Sequence, residues 1–226
     1  MQINFFYRCY TIMKLAVLLS GMSKMENYIH HKGNRKVTID YEKSCENYEQ
    51  YIFNYFKNIG YDIDVYFTTN MLDDQNKKKI CEKYKPVKCN FMENKQKKII
   101  SKNEKLVDVL NLCLDSNITY DLILITRFDL LFQKKFGESN INFNKINIVS
   151  ALKQPQLICD NFYLFPYRYL KEFSDIIKEN LNNPLHLLQE PLYRKFGTET
   201  VNYILNENVR VGDLSFYKIV RNYDKA

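Results

Sequence analysis

A cation and a carboxylate stand two residues apart, directly after the most hydrophobic stretch of the chain. Arg127 and Asp129 follow an unbroken aliphatic run from Leu122 to Ile125. Side chains two residues apart at a strand end point to the same side, and burying either charge alone is costly. The carboxylate could hold a divalent cation that bridges a diphosphate, and the guanidinium could bind a phosphate oxygen. A purely structural Arg–Asp ion pair is the alternative.

Other polar residues are expected at the same edge of a sheet. Ligands of open α/β sheets bind beyond the carboxyl ends of the strands, so residues that follow each predicted strand are candidates. They are Ser20, Gly21, Met22 and Ser23 after the first strand, Thr69 and Asn70 after the second, and Asp160 and Asn161 near a later one. The turn at Ser20 and Gly21 either lets the backbone approach a nucleotide closely or is an ordinary tight turn.

Hydrophobic periodicity predicts the elements that must position these residues. Apolar runs and β-branched alternation predict strands at 15–19, 62–69, 121–126, 146–152, 157–165 and 215–220. Apolar residues at helical spacing predict helices at 41–59, 96–114, 167–181 and 191–205. Residues 22–40 lack periodicity and are predicted as a loop. Segment 73–95 is predicted as a short basic helix, followed by a strand or loop after Pro86.

The order of these elements predicts an α/β fold. Strands and helices alternate in the first half of the chain, which implies a parallel sheet with right-handed crossovers. With 226 residues, of which 46% are hydrophobic, the chain can bury a sizeable core. We therefore expect one domain over 13–226, with a mostly parallel central sheet flanked by helices. Residues 1–12 are expected to be an N-terminal extension, and Met13 could be the natural start.

Charge and cysteine content exclude several classes of protein. Of the net charge of +7, segment 73–105 contributes +6, with eleven Lys and five acidic residues. Because no aromatic-basic repeat accompanies it, we interpret it as a solvated helix face and expect no nucleic-acid partner. Six cysteines without a C-x-x-C pair predict neither a disulfide framework nor a zinc site, and favour a reducing, cytoplasmic location.

Motifs for other activities are missing from the sequence. It contains no G-x-G-x-x-G fingerprint, no Walker A loop and no H-E-x-x-H, which argues against NAD enzymes, P-loop NTPases and zinc peptidases. The apolar run from Ile12 to Leu19 is too short and too charged to span a membrane, so no transmembrane segment is expected. His30 and His31 are adjacent and are expected to be solvent-exposed, since neighbouring residues rarely converge on one ion.

Two segments resemble small GT-A-fold glycosyltransferases of large DNA viruses and bacterial polysaccharide loci. Residues Met13 to Gly21 resemble the opening strand and loop of those enzymes. Residues Tyr120 to Phe132 resemble their YD–apolar–TRxD–apolar–F segment, in which Asp129 ends the metal-binding acidic motif and Arg127 takes the first position of a strict D-x-D. The resemblance covers most of 13–205 in order and implies a GT-A fold with a metal-dependent, hexosyltransferase-like activity in polysaccharide biosynthesis.

The same resemblance implies a donor site. The loop from Ser20 to Ser23, with Thr69 and Asn70, would hold the nucleoside of a UDP-, GDP- or dTDP-sugar. Asp129 would bind the diphosphate through Mn²⁺ or Mg²⁺, and this metal would stabilise the charge of the leaving nucleoside diphosphate. Arg127 belongs to the same diphosphate site.

The resemblance also implies acceptor-side roles. Asp160 would be the general base that takes the proton from a glycan or other hydroxyl acceptor, or else a strand-end hydrogen-bond partner. His186 would be a later metal ligand, with a surface histidine as the alternative. Glu190 would contact one of the sugars or favour the dipole of a helix start. Lys102 or Lys105 would reach the diphosphate, unless both are solvated.

Two further hypotheses stay open at the level of the sequence. A nucleotidyltransferase-like α/β enzyme would also place a metal-binding carboxylate beyond a parallel strand. An inactive, transferase-like binding module would use its basic segment, 73–105, on an anionic partner.

Overall fold

The computed structural model describes residues 12–29, 36–93, 100–152, 157–205, 215–219 and 222–223. The strands are β1 Met13–Ser20, β2 Lys24–Ile29, β3 Lys36–Asp40, β4 Tyr61–Asn70, β5 Lys88–Met92, β6 Leu122–Thr126, β7 Leu130–Phe132, β8 Ile146–Ile148, β9 Tyr163–Pro166, β10 Val201–Tyr203, β11 Tyr217–Ile219 and β12 Asn222–Tyr223. The helices are α1 Tyr41–Tyr48, α2 Asn54–Asn58, α3 Asp74–Tyr84, α4 Lys102–Leu114, α5 Leu170–Glu179 and α6 Gln189–Phe196. A π-helical turn, Glu49–Phe53, joins α1 to α2.

Seven strands form one mostly parallel central sheet, as the sequence predicts. Their order is β10-β8-β9-β6-β1-β4-β5. Strand β1 pairs in parallel with both β4 and β6, and β5 adds in parallel to β4. Strand β9 runs antiparallel to its neighbours β6 and β8. The predicted single α/β domain with helices around this sheet is confirmed.

Both faces of the sheet are buried, which explains the unbroken apolar runs in its central strands. Successive side chains of a strand point to opposite faces. In β1, Leu15, Val17 and Leu19 therefore enter one hydrophobic cluster with α1 and α2, while Ala16 and Leu18 enter a second cluster with α4 and α5. Because both faces of the strand are buried, its side chains do not alternate between apolar and polar. Such an unbroken apolar run is typical of a parallel strand covered on both sides.

Helix α4 begins at the edge of the sheet where the parallel strands end. Its start is fixed by a capping box, in which Ser101 accepts from the backbone of Glu104 and Glu104 accepts from the backbone of Ser101. Because α4 connects β5 to the parallel strand β6, its first turn lies at the carboxyl end of the sheet. This places Lys102, the first residue of the helix, beside the ends of the central strands.

Three predictions about elements were wrong in whole or part. Residues 22–40 are not a loop: β2 and β3 lie there and form an antiparallel sheet with β12. The register of β2 and β3 shifts between Met25 and Tyr28, which interrupts a regular alternation, and the pairing of β3 with β12 is long-range. The predicted helix 191–205 ends at Phe196, where Gly197 adopts φ 80°, and the segment continues into edge strand β10. The predicted strand 157–165 is regular only in β9, after an isolated bridge at Ile158.

The remaining predicted elements are confirmed with shifted ends. Helix α3 and strand β5 account for 73–95, and β11 lies within 215–220. None of the helices in the described ranges is long and apolar enough to cross a bilayer. The predicted extension at 1–12 lies almost wholly outside the described residues, as do His30 and His31.

Candidate functional site

Arg127 and Asp129 form a bidentate ion pair directly beyond the end of β6. The Arg127 Nε and Nη2 atoms lie 2.7 and 2.6 Å from the two carboxylate oxygens of Asp129. Asp129 is 3% exposed, whereas 16% of the Arg127 side chain is exposed. A fork of two parallel charge-assisted hydrogen bonds is among the strongest side-chain contacts in proteins. The carboxylate therefore anchors the guanidinium, which keeps the more accessible position of the two.

A second ion pair lies next to the first and joins α4 to the loop before β9. Lys102 Nζ lies 2.7 Å from Asp160 Oδ2 and 3.0 Å from the Asp160 carbonyl oxygen. The exposed fractions of these side chains are 30% for Lys102 and 22% for Asp160. Asp160 is thus considerably more open to solvent than Asp129, and it is the carboxylate that a bound molecule can reach.

Asn161 connects the two ion pairs. Its Oδ1 accepts hydrogen bonds from Arg127 Nη1 at 2.9 Å and from Lys102 Nζ at 3.1 Å. Its Nδ2 donates to the hydroxyl of Tyr217 at 3.0 Å. We name the set of Lys102, Arg127, Asp129, Asp160 and Asn161 the charge cluster. It brings two cations and two carboxylates from β6, α4 and the β9 loop to one place.

Helix α1 holds the backbone that carries Arg127. The hydroxyl of Tyr48 donates to the carbonyl oxygen of Arg127, and the hydroxyl of Ser44 donates to that of Phe128. Phe128 is itself fully buried between the sheet and α3, with its ring against Phe67 and Tyr84. Residues 127–129 are therefore fixed on both sides of the turn, which limits how far Arg127 can move.

The ion pairs of the charge cluster shift the pKa values of its members. Burial alone would raise the pKa of Asp160. The charge and hydrogen bond of Lys102, and to a smaller extent the charge of Arg127, lower this pKa below its usual value. Burial alone would lower the pKa of Arg127, but Asp129 outweighs burial and raises it. For Lys102, burial lowers the pKa, and Asp160 offsets this only partly. Asp160 is therefore ionised at neutral pH, as a proton acceptor must be.

The lowered pKa of Asp160 predicts an acid-sensitive contribution to stability. A carboxyl group whose folded-state pKa is depressed stabilises the fold above its ordinary pKa, here 3.8, and loses this contribution as the pH falls below that value. We expect the difference in free energy of unfolding between the wild type and Asp160→Asn to shrink as the pH falls from about 6 to about 3. Urea denaturation of both proteins measures it, and a difference that does not change with pH would contradict the ion pair.

The loop after β1 and the end of β4 contact one another. The backbone N–H of Ser23 donates to Thr69 Oγ1 at 3.0 Å, and Thr69 Oγ1 donates to Ser23 Oγ at 2.8 Å. Asn70 Nδ2 donates to the carbonyl oxygen of Lys24 at 3.2 Å. Ser20, Ser23 and Thr69 are buried. Their role in holding a nucleoside stays a prediction.

Gly21 has unoccupied space next to its Cα atom. Its φ is 125°, a conformation that favours glycine, and a Cβ built on it would meet nothing within 4 Å. Its N–H donates to the carbonyl oxygen of Thr68 at 3.2 Å, which fixes the turn to β4. Gly21 and Met22 are both half-buried, so the surface available for close approach of a ligand belongs to these two residues.

No contact with the charge cluster is recorded for the other predicted residues, within the part of the chain that the structure describes. The His186 carbonyl oxygen accepts from the N–H of Ile158 at 2.9 Å, so its segment runs beside the loop that leads to Asp160. Glu190 is exposed in the first turn of α6. Lys105 is 2% exposed, and its Nζ donates to the carbonyl oxygen of Ile100 at 2.9 Å. The charge of Lys105 is therefore buried and engaged within the protein.

The donor atoms of the charge cluster do not fit a resident divalent cation. Both oxygens of Asp129 accept from Arg127, and one oxygen of Asp160 accepts from Lys102. Within the described ranges, no three His, Cys, Asp or Glu side chains lie together as a metal site would require. A metal at Asp129 and His186 stays a prediction, without a set of free ligands around it.

Sequence reasoning placed Asn161 at this edge of the sheet but missed its role as a link, and it missed Tyr217 as a partner. Asn161 was singled out only for its position near a strand, and Tyr217 only as part of an edge strand. Tyr217 reaches Asn161 because β11 pairs antiparallel with β7, which directly follows Asp129. No local pattern signals such a contact, since 56 residues separate Asn161 from Tyr217.

Comparisons with known proteins find matches among solved structures. No protein-family model and no curated protein matches the chain. The chain is similar to the crystal structure of the glycosyltransferase GlyE of Streptococcus pneumoniae TIGR4, with 10% sequence identity and a TM-score of 0.41. The similarity covers 86% of this chain and 45% of GlyE, so the chain spans less than half the length of that protein. A similarity of this size identifies no family.

Proposed function

We propose that this protein is a glycosyltransferase that moves a sugar from a nucleotide-sugar donor to a hydroxyl group of a glycan or other acceptor. One observation carries the proposal: two cations from separate elements, Lys102 and Arg127, share the Oδ1 atom of Asn161 beside the ionised carboxylate of Asp160. They lie at the carboxyl edge of a mostly parallel sheet, where α/β enzymes bind their ligands.

The donor would lie along this edge, from the Gly21 loop to the charge cluster. Gly21 leaves open space for the nucleoside next to the end of β4. The diphosphate would bind to Lys102 and Arg127, because both side chains are cationic and partly exposed. The three N–H groups of Lys102 contact Asp160 and Asn161, so Lys102 would exchange one of these contacts for a phosphate oxygen. Arg127 suits an oxyanion especially well, since Asp129 holds its guanidinium plane in a fixed orientation.

The proposed reaction forms a bond between the acceptor oxygen and the anomeric carbon of the donor sugar. The bond from that carbon to the diphosphate oxygen breaks, and its electron pair leaves with the nucleoside diphosphate. Lys102 and Arg127 stabilise the negative charge that develops on this leaving group. Asp160 accepts the proton of the acceptor hydroxyl, which is the role of a general base.

Divalent metal, Mn²⁺ or Mg²⁺, would assist donor binding only in addition to the cations of the charge cluster. A bound metal would neutralise charge on the diphosphate, as the two cations of the charge cluster do in its place. We therefore propose that donor binding depends on Lys102 and Arg127 first, and that added metal changes the affinity modestly.

A thermal-shift panel tests the proposed function. UDP-, GDP- and dTDP-sugars, each with and without Mn²⁺, should raise the melting temperature for at least one nucleotide, because a ligand that binds only the folded state stabilises it. The bound donor should then be hydrolysed slowly in the absence of an acceptor. Binding without any hydrolysis or transfer would favour the inactive binding module, and cleavage of the nucleotide at its phosphoanhydride would favour a nucleotidyltransferase-like enzyme.

A further inference from the structure

A buried tyrosine of the C-terminal segment reaches into the charge cluster through one asparagine. Tyr217 is 1% exposed and Asn161 is 8% exposed, so the hydrogen bond between them is shielded from water. The Tyr217 hydroxyl also contacts the sulfur of buried Cys159 at 2.7 Å. Strand β11 places Tyr217 there by pairing with β7, with Tyr217 opposite Phe132.

The donors and acceptors around Asn161 allow only one orientation of its amide. Lys and Arg side chains can donate hydrogen bonds and cannot accept them. The oxygen of Asn161 must therefore face Lys102 and Arg127, and its NH₂ group must face Tyr217. Because the Tyr217 hydroxyl accepts from that NH₂ group, it keeps the amide in this orientation when the two cations move or bind a ligand.

We infer that Asn161, oriented by Tyr217, is a positioning residue that holds Lys102 and Arg127 as a clamp for two neighbouring phosphate oxygens. The inference rests on the proposed function and names the part of the donor that the charge cluster recognises. Donor specificity for a diphosphate over an uncharged nucleoside would thus depend on a residue that need not touch the donor.

The contact of Lys102 and Arg127 with Asn161 is not needed to neutralise either cation. Each cation already has its own carboxylate, Asp129 for Arg127 and Asp160 for Lys102. A shared contact with one amide oxygen is not needed for pairing, and it brings two like charges together against their repulsion. Such an arrangement matches a doubly charged anion, whose adjacent oxygens need two donors at a short separation.

Two near-isosteric variants test this inference. Tyr217→Phe removes the hydroxyl that orients the amide, and Asn161→Asp puts a competing carboxylate between the two cations. Tyr203→Phe is the matched control, because it removes a half-buried hydroxyl from a tyrosine–glutamine network formed by α6 and β10. Isothermal titration with inorganic pyrophosphate, with the diphosphates of uridine, guanosine and thymidine, and with the three nucleosides measures affinity. Urea denaturation measures the stability of each protein.

Tyr217→Phe should weaken the binding of pyrophosphate and of the preferred nucleoside diphosphate about fivefold, which corresponds to one neutral hydrogen bond. Asn161→Asp should weaken both by about tenfold or more while its free energy of unfolding stays at or above that of the wild type. Affinity for the nucleoside, and all affinities of Tyr203→Phe, should stay within about twofold of the wild type.

The outcomes separate this inference from the proposed function. Unchanged diphosphate affinity in both variants would overturn the positioning role and leave the glycosyltransferase proposal standing. Loss of diphosphate and nucleoside affinity in proportion to lost stability would show a merely structural role and would also overturn it. If the folded wild type binds neither pyrophosphate nor any of the nucleoside diphosphates, both the proposed function and this inference fail.

Discussion

Replacing Asp160 by asparagine is expected to slow sugar transfer by about 10²–10⁴-fold, the usual contribution of a positioned general base. The amide keeps the size of the side chain and its contact with Lys102, but it cannot accept the proton of an acceptor hydroxyl. Affinity for the nucleoside diphosphate should be retained or increase, because Lys102 loses the carboxylate that competes for it. Turnover with saturating donor and acceptor, measured beside the nucleoside diphosphate affinity, checks both expectations.

The matched control for this prediction is a second carboxylate that accepts hydrogen bonds near the sheet but lies outside the charge cluster. Asp108 accepts from Thr68 Oγ1 at 2.7 Å and from Asn90 Nδ2 at 3.0 Å, beside the end of β4. Asp108→Asn should leave the rate of the transfer step within about an order of magnitude of the wild type, since a base role accounts for larger losses. Equal losses in both variants, or full activity of Asp160→Asn, would remove Asp160 from the proposed base role.

Asp129→Ala is expected to lower the free energy of unfolding by about 3–5 kcal/mol, because it leaves the guanidinium of Arg127 buried without its carboxylate. The same variant should lose most of its affinity for a nucleoside diphosphate, since the plane of Arg127 is no longer fixed. A double variant, Arg127→Met with Asp129→Leu, removes both charges and should recover much of the lost stability. Urea denaturation measures stability, and isothermal titration measures affinity.

If the double variant recovers stability but not binding, the role of Arg127 in binding is separated from its role in stability. The double variant should be well folded and still bind the diphosphate weakly, because one of the two proposed cations is absent. An exposed pair provides the control: Lys57 and Glu49 lie 3.1 Å apart with about half of each side chain exposed. Lys57→Met should change stability by no more than about 1 kcal/mol. A double variant that binds as tightly as the wild type would contradict the role given to Arg127.

The parts of the fold that local patterns determine could be predicted from the sequence. The aliphatic run of β6 had to be a central strand, because no other arrangement buries it on both faces. The spacing that predicts α4 reflects its single buried face, and the capping box fixes its start. By contrast, the pairing of β2 with β3 shifts register between Met25 and Tyr28, which interrupts any alternation. Strand β10 is held by β8, far along the chain, so its residues carried no pattern of their own.

The charged residues of the candidate site were predicted from the sequence, but the contacts that join them were not. The rule that ligands bind beyond parallel strands led to Arg127, Asp129 and Asp160, all of which lie in the charge cluster. The rule could not show that Arg127 takes both oxygens of Asp129, since either charge could equally have found another partner. It also could not reveal Asn161 as the link, because its contacts come from three elements that are distant in sequence.

The central claim is that the cations of the charge cluster bind a nucleoside diphosphate, and a titration into three proteins tests it most directly. The preferred nucleoside diphosphate is titrated without metal into the wild type, Lys102→Met and the control Lys57→Met, whose lysine is an exposed partner of Glu49. We expect the wild type and the control to bind equally, and Lys102→Met to bind at least about tenfold more weakly, as loss of a charge-assisted contact to phosphate implies. Equal affinities in all three proteins, or no binding by the wild type, would contradict the account.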